Sequence, residues 1–377
     1  RECYSVNYKN WSNQNNANCW FYVVATDTGA TTLKITPQAN IAGVVTTGGW
    51  IAGTTYTVTL TQGQVYNVMG ILTGGTNPFT GVDLTGSKIE SVNTGSGCKK
   101  IAVFSGSGRI SITCNANSSS SDNYMVQAMP KNAWGKKYLT AQANGNQSFN
   151  IYRVCVSNPA AIVRINGAIT GLPLINNFYY EIPATDQPQL IESDSAIMVA
   201  QYFTSVGACG NAPNPSPGDP EVIYLSAVEQ SINKVIWNAT PNFAITTHNF
   251  NVVIPNTGTA ISSFRLDGAP VGGFINHPQD PGYAYLRQSV SAGFHIIQSD
   301  SGFNAIAYGY GNAESYGYNA GTNIKDIYQF ASVENPGGSV NFPAACKDAP
   351  FYFSMTFPYQ PTSINWDFGA LFAPFNM

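Results

Sequence analysis

LIESDSAIMVAQYF, Leu190 to Phe203, decides the fold, because the chain carries this pattern more than once. HIIQSDSGFNAIAYG, His295 to Gly309, repeats it, and KIESVNTGSGCKKIAVFS, Lys88 to Ser105, is a looser copy with a longer middle. Each reads as a short strand, a Ser-Asp or Gly-rich turn, and a second apolar strand. The second strands hold AIMVA (Ala196–Ala200), FNAIA (Phe303–Ala307) and IAVF (Ile101–Phe104). An apolar run of about five residues is too short for a helix and predicts a strand covered on both faces.

The flanking sequence repeats as well. VRING (Val163–Gly167) matches FRLDG (Phe264–Gly268), and alternating strands precede them, IYRVCV (Ile151–Val156) and NFNVVI (Asn249–Ile254). FYVVA (Phe21–Ala25) and TLKIT (Thr32–Thr36) supply the corresponding pair in the first copy. Paired matches at similar offsets argue for one supersecondary unit duplicated, giving three β repeats of roughly 100 residues each. The expected fold is all-β, with tandem antiparallel β-sandwich-like repeats; a propeller-like ring of the same repeats is the alternative. The boundaries expected are 1–148, 149–248 and 249–338 for the three repeats, and 339–377 for a last module of different texture. Two connections look alike, Tyr124–Thr140 and Glu221–Trp237, and each should cross from one repeat to the next. Within the second, Ala227–Lys234 is the one serious candidate for a helix. In the last module Phe351, Phe353, Met355 and Phe357 alternate on one face, as do Ile364, Trp366 and Phe368. Two such strands are not stable alone in water.

At 377 residues the chain can hold several cores, yet only 10% of it is charged, against a usual share of about 25%. Asn, Thr, Ser, Gly and Tyr supply the polarity, as expected of an exported or cell-surface protein. A net charge of −3 and a pI near 5.6 give no basic field for nucleic acid or anionic lipid. No apolar window reaches the ~18 residues of a membrane-spanning helix. The sequence opens at Arg1 without a signal-peptide pattern, so a processed piece of a longer exported chain is expected.

There are seven cysteines. None forms a CxxC pair and histidines are few, so no zinc site and no other cofactor is expected. Cys98 and Cys114 flank IAVFSGSGRISI, which predicts a hairpin about Ser105–Gly108 with those two residues opposed. Opposed residues have Cα atoms about 4.5–5.5 Å apart, within disulfide range. Such a bridge would contribute about 3 kcal/mol. Cys3 with Cys19 and Cys155 with Cys209 are the other expected pairs, chosen by proximity and repeat position. Cys346 is left odd.

Candidate sites are few. His248, His277 and His295 lie apart and have no nucleophile motif beside them, which favours structural roles. Glu192 and Asp194 could serve as a glycosidase pair if about 5–10 Å apart in a cleft, but a turn explains them better. Asp267 before Gly268 is a hairpin residue. Asn10, Asn117, Asn146 and Asn238 head N-x-S/T triplets, and Asn211–Asp219 lacks the spacing of a calcium loop. Tyr308, Tyr310, Tyr316 and Tyr318 alternate with glycine in YGYGNAESYGY; flat aromatic faces displayed there could stack on sugar or on a protein partner.

At YGYGNAESYGYNAG, IAVFSGSGRIS, MVQAMPKNAWGKKYL and IMVAQY the chain resembles the IgGFc-binding protein N-terminal domain family, in particular its members among surface proteins of Bacteroidetes. The likeness covers roughly residues 20–330. The crossover keeps Gln127, Pro130 and Trp134-Gly135, and the second crossover keeps Asp219-Pro220 and Glu229-Gln230. The tail ACKDAPFYFS…SINWDFG is similar to the start of a PKD-type immunoglobulin-like domain, with Gly369-Ala370-Leu371 replacing the customary Asp-Gly turn. The resemblance implies a large adhesin exported by the type IX route. The expected function is therefore a non-catalytic extracellular module for adhesion, display or binding of a glycan, an extracellular protein or copies of itself. A filament subunit and a glycan-active enzyme are the alternatives.

Overall fold

The computed structural model describes residues 2–9, 11–12, 17–75, 78–92, 99–114, 120–212, 217–324, 330–334, 352–356, 364–366 and 375–376. Strands account for 54% of it and helix for 3%, so the chain is all-β. It divides into two compact units, Arg1–Ile324 and Lys325–Met377. In the second, Phe330–Glu334 pairs antiparallel with Tyr352–Thr356, and Asn365–Trp366 with Phe375–Asn376. Phe351, Phe357, Phe368, Cys98 and Cys346 lie outside the described residues. Among the described residues no helix is long and apolar enough to cross a membrane.

The first compact unit uses one strand order three times. In the second repeat the hub is Leu190–Phe203. Its first half lies between the edge strand Gly135–Leu139 and Val163–Ile165, which turns back into Ala168–Ile169. Its second half lies between Asn150–Val156 and Glu221–Tyr224, and Tyr179–Thr185 pairs on the far side of Asn150–Val156. The third repeat builds the same pattern on Gly293–Gly311. Ile232–Ala239 and the Arg265–Leu266 hairpin flank the first half, Ile245–Pro255 and Glu314–Gly321 the second, with Tyr283–Val290 beyond. In the first repeat the hub comes in two pieces. Lys88–Ser91 sits between Glu2–Tyr4 and Thr31–Thr36, and Ile101–Ile110 between Cys19–Ala25 and Asp122–Gln127.

Three local expectations need correction. The Ser-Asp pairs are not turns, since the hubs run unbroken for 14 and 19 residues. Their aspartates tie down the preceding loop instead: Asp194 Oδ1 accepts from Ile162 N at 3.0 Å, and Asp300 Oδ1 from Ser263 Oγ at 2.6 Å. Nor is Ser105–Gly108 a turn, because Ile101–Ile110 is one strand of 10 residues, roughly 33 Å long. Gly106 is there for room: a Cβ would stand 2.5 Å from the Trp20 ring and from the Tyr124 carbonyl. The register that opposed Cys98 to Cys114 therefore does not exist. Ala227–Lys234 is not a helix either. Val228–Gln230 is a 3-10 turn running into the strand Ile232–Ala239, as Lys131–Ala133 runs into Gly135–Leu139, so the two crossovers are built alike.

The turn chemistry holds. Asn166 and Gly167 have φ of 53° and 82°, Asp267 and Gly268 52° and 83°. Two consecutive left-handed residues make the tight hairpin that Asn-Gly and Asp-Gly favour. The apolar runs of the second and third hubs are covered on both faces, whereas in the first only Val103 is buried and Ala102 and Phe104 face away from the core. Tyr152, Val154, Val156, Ile197, Val199 and Phe203 fill the second repeat's own core. Their neighbours Ile151, Cys155, Met198, Ala200 and Tyr202 pack against Val6, Tyr8, Ile110 and Tyr124 of the first repeat. Period-two alternation thus assigns every second side chain to a joint.

Candidate functional site

The joints are where chemistry concentrates. Arg153 interrupts the apolar strand IYRVCV and is 4% exposed, pointing at the first repeat. Its Nη1 donates to Asn7 O (2.6 Å), Asp83 Oδ2 (2.7 Å) and Thr85 Oγ1 (3.0 Å), and its Nε to Glu181 Oε2 (2.8 Å). The rings of Tyr8, Tyr179 and Tyr202 face the guanidinium at 4.7, 4.5 and 5.2 Å. Burial works against its charge, but Asp83 and the other acids outweigh it and keep the group protonated. Tyr202 adds a hydrogen bond to Asn7 O at 2.8 Å.

The next joint repeats the geometry with amides. Arg153 is paired with Ala200 across the sheet, and Asn251 with Ile306, so Asn251 is its positional equivalent. Asn251 Nδ2 donates to Ala141 O (3.2 Å) and Gln142 O (2.9 Å) of the second repeat. Tyr308, equivalent to Tyr202, donates to Asn251 Oδ1 and accepts from Asn144 N, both at 2.7 Å. In both joints one polar side chain reads the backbone just past the preceding repeat's edge strand.

This settles the tyrosines. Tyr308 and Tyr310 are buried in the second repeat's core cluster, so they cannot display faces to a ligand. A Tyr-Gly alternation in a strand puts its rings on one side, and here that side is the joint. Tyr316 and Tyr318 lie on the opposite face, on the last strand, stacked with centroids 5.8 Å apart; Tyr318 is 37% exposed.

Sulfur also serves a joint. Cys114 of the first repeat is bridged to Cys209 of the second, Cα to Cα 5.1 Å. The pairings Cys98–Cys114 and Cys155–Cys209 are thereby excluded. Cys3, Cys19 and Cys155 are buried free thiols. Cys3 and Cys19 belong to strands of two different sheets, which is why proximity in sequence misled. Burial pushes the Cys3 thiol up to about 12 and the other two further, so none is reactive.

An acidic group gathers at the last strands of all three repeats. Burial pushes the Asp219 carboxyl up to about 7, with Asp122 and Glu314 adding to it, and burial pushes Glu221 up to about 8. The histidines are separately occupied. His295 bonds Asp267 Oδ2 (2.8 Å) and Ser291 O (2.9 Å), His277 bonds Thr140 O (3.1 Å), and His248 bonds Tyr316 Oη (3.2 Å). Among the described residues no group of three His, Cys, Asp or Glu side chains could hold a metal ion.

Two faces of the array lie outside the two joints. On the first repeat Trp20, Tyr22 and Phe104 form a stacked ladder, 5.4 and 4.9 Å between centroids, on the side away from its core. On the third repeat Phe243, Phe294 and Ile236 are 78%, 80% and 61% exposed. Large apolar side chains left open in this way mark interaction surfaces when they group.

A three-repeat β array with occupied joints and apolar ends defines a binding scaffold. The family model described as IgGFc binding protein matches residues 1–309. The chain belongs to that family, one of extracellular protein-binding modules. No curated protein and no solved structure matches it.

Proposed function

We propose that the chain is a non-catalytic extracellular module of a surface adhesin that binds a protein partner through an end face of its repeat array. The observation that carries this is the apolar group on the third repeat. Ile236 pairs with Ile296 and Asn238 with Phe294, and Tyr318 donates to Asn238 O at 2.9 Å. These residues therefore form one patch. The occupied histidines, and Asp194 spent on a loop, support the absence of catalysis. Export by the type IX route, a Bacteroidetes source and a PKD-type second unit belong to the same reading and rest on the resemblance alone.

The test is capture by the immobilised chain of IgG Fc, of other extracellular proteins and of a glycan array. Protein capture by the wild type, lost in Phe294→Asp, is the expected result. Capture of glycans alone would replace the reading with a lectin, and hydrolysis of any glycan abolished by one carboxylate substitution would replace it with an enzyme. The second reading is a structural filament subunit, favoured by the placing of apolar faces at both ends of the array.

A further inference from the structure

We propose that the free face of the first repeat docks on the free face of the third repeat of a second copy, reproducing the internal joint. The inference rests on the protein-binding reading and names the partner. In each internal joint the donor face has the same parts. The outer side of the strand before the hairpin and the outer side of the hub's second half meet the preceding repeat: Arg153 with Tyr202, and Asn251 with Tyr308. Register places Tyr22, Phe104 and Trp20 on this side of the first repeat, since Phe104 pairs with Tyr22 as Ala200 pairs with Arg153 and Ile306 with Asn251.

The receiving face is equally regular. It holds an edge-strand pair, the backbone just after that strand, and the inner side of the last strand. In the first repeat Tyr4, paired with Lys88, stacks on Phe178 of the second at 4.8 Å. In the second, Leu139 and Leu190 pair and are covered by Val253 and Tyr285 of the third. The third repeat's pair is Ile236 and Ile296, and its last strand offers Tyr318 where Ile223 of the second meets Tyr308. Its post-edge segment, 240–244, carries Phe243 and Ala244 at φ 57°, with Phe243 open to solvent. Capping repeats of stacked arrays normally carry polar outer faces, whereas these two faces carry Trp20, Tyr22 and Phe104 on one side and Ile236, Phe243 and Phe294 on the other. A donor of aromatic rings suits a receiver of Ile and Phe, and the contact is head to tail, so it propagates.

Sedimentation of the full chain over a wide concentration range tests this, with Tyr22→Asp for the donor face and Phe243→Asp for the receiver. Aspartate tolerates the left-handed backbone at 243, and unchanged melting temperatures establish that both variants fold. The wild type should grow in mass with concentration, each variant alone should stay monomeric, and an equimolar mixture should stop at a one-to-one dimer. A wild type that is monomeric throughout, or a mixture that gives no dimer, overturns the joint. Capture of another extracellular protein, lost in Phe243→Asp while the wild type stays monomeric, would overturn it and leave the protein-binding reading standing. If the substitutions change neither property, both fail.

Discussion

Replacing Arg153 by Met should cost about 3–5 kcal/mol, the usual penalty for stranding one member of a buried ion pair. Asp83 is 5% exposed and would keep only its bonds from Thr85, N at 3.0 Å and Oγ1 at 2.6 Å. Methionine keeps the apolar stem but not the guanidinium, so the space left among the rings of Tyr8, Tyr179 and Tyr202 adds to the loss. Asn7 O would still have Tyr202 as a donor. Against a typical total of about 5–15 kcal/mol for a folded chain, this is a large fraction. Asp83 belongs to the first repeat and Arg153 to the second, so the damage should also separate their transitions. Urea unfolding followed by tryptophan fluorescence reads both effects, because Trp20, Trp50 and Trp134 report on the first repeat and its joint. Asp83→Leu combined with Arg153→Met should recover most of the stability, since an apolar pair of that size removes both charges. A loss below about 1 kcal/mol for the single variant, or a double variant as unstable as the sum of the singles, would refute the claim that the guanidinium locks this joint.

Opening the Cys114–Cys209 bridge by Cys114→Ser should lower stability by about 2–5 kcal/mol, while a thiol reagent should leave Cys3, Cys19 and Cys155 unlabelled until the chain unfolds; differential scanning calorimetry and mass spectrometry check the two. The Asp219 carboxyl binds its proton more tightly when folded (about 7) than in the ordinary range. Its contribution is therefore greatest in acid and is lost as pH rises from about 4 to about 7, by up to roughly 4 kcal/mol. Asp219→Asn should flatten that part of a stability profile, and an unchanged profile would assign the trend elsewhere. Gly106→Ala forces a methyl against the Trp20 ring and the Tyr124 carbonyl and should cost about 1–3 kcal/mol by overpacking; chemical denaturation that shows no loss would mean the first repeat's outer sheet is loosely built.

Much of the architecture is legible in LIESDSAIMVAQYF and its relatives, because a strand that joins two cores must be apolar on both sides, and few other elements read that way. The hairpins at Asn166-Gly167 and Asp267-Gly268 are legible for a local reason, the backbone conformation those residues permit. What fails depends on partners distant in sequence. Glycine in SGSG looks like a turn unless one knows that Trp20 lies across it. The partner of Cys114 sits 95 residues away in another repeat, and nothing local points to it. Tyr308 and Tyr310 show the same limit, since the pattern says that their rings share a side but not what covers that side. Arg153 did leave a signal, a lone charge in IYRVCV, where an exposed edge or a buried lock are the alternatives and only the tertiary structure decides.

The bridge between Cys114 and Cys209 has a mechanical consequence. Tension applied along the polypeptide cannot draw out the chain between the two cysteines, which stand 95 positions apart, and at roughly 3.4 Å per residue this amounts to about 320 Å. The tether holds in reserve the whole path from the first repeat's last strand through the second repeat's hub. An anchored molecule in flow would thus yield only in the strands outside the bridge, before Cys114 and after Cys209, and adding a reductant would lengthen its reach.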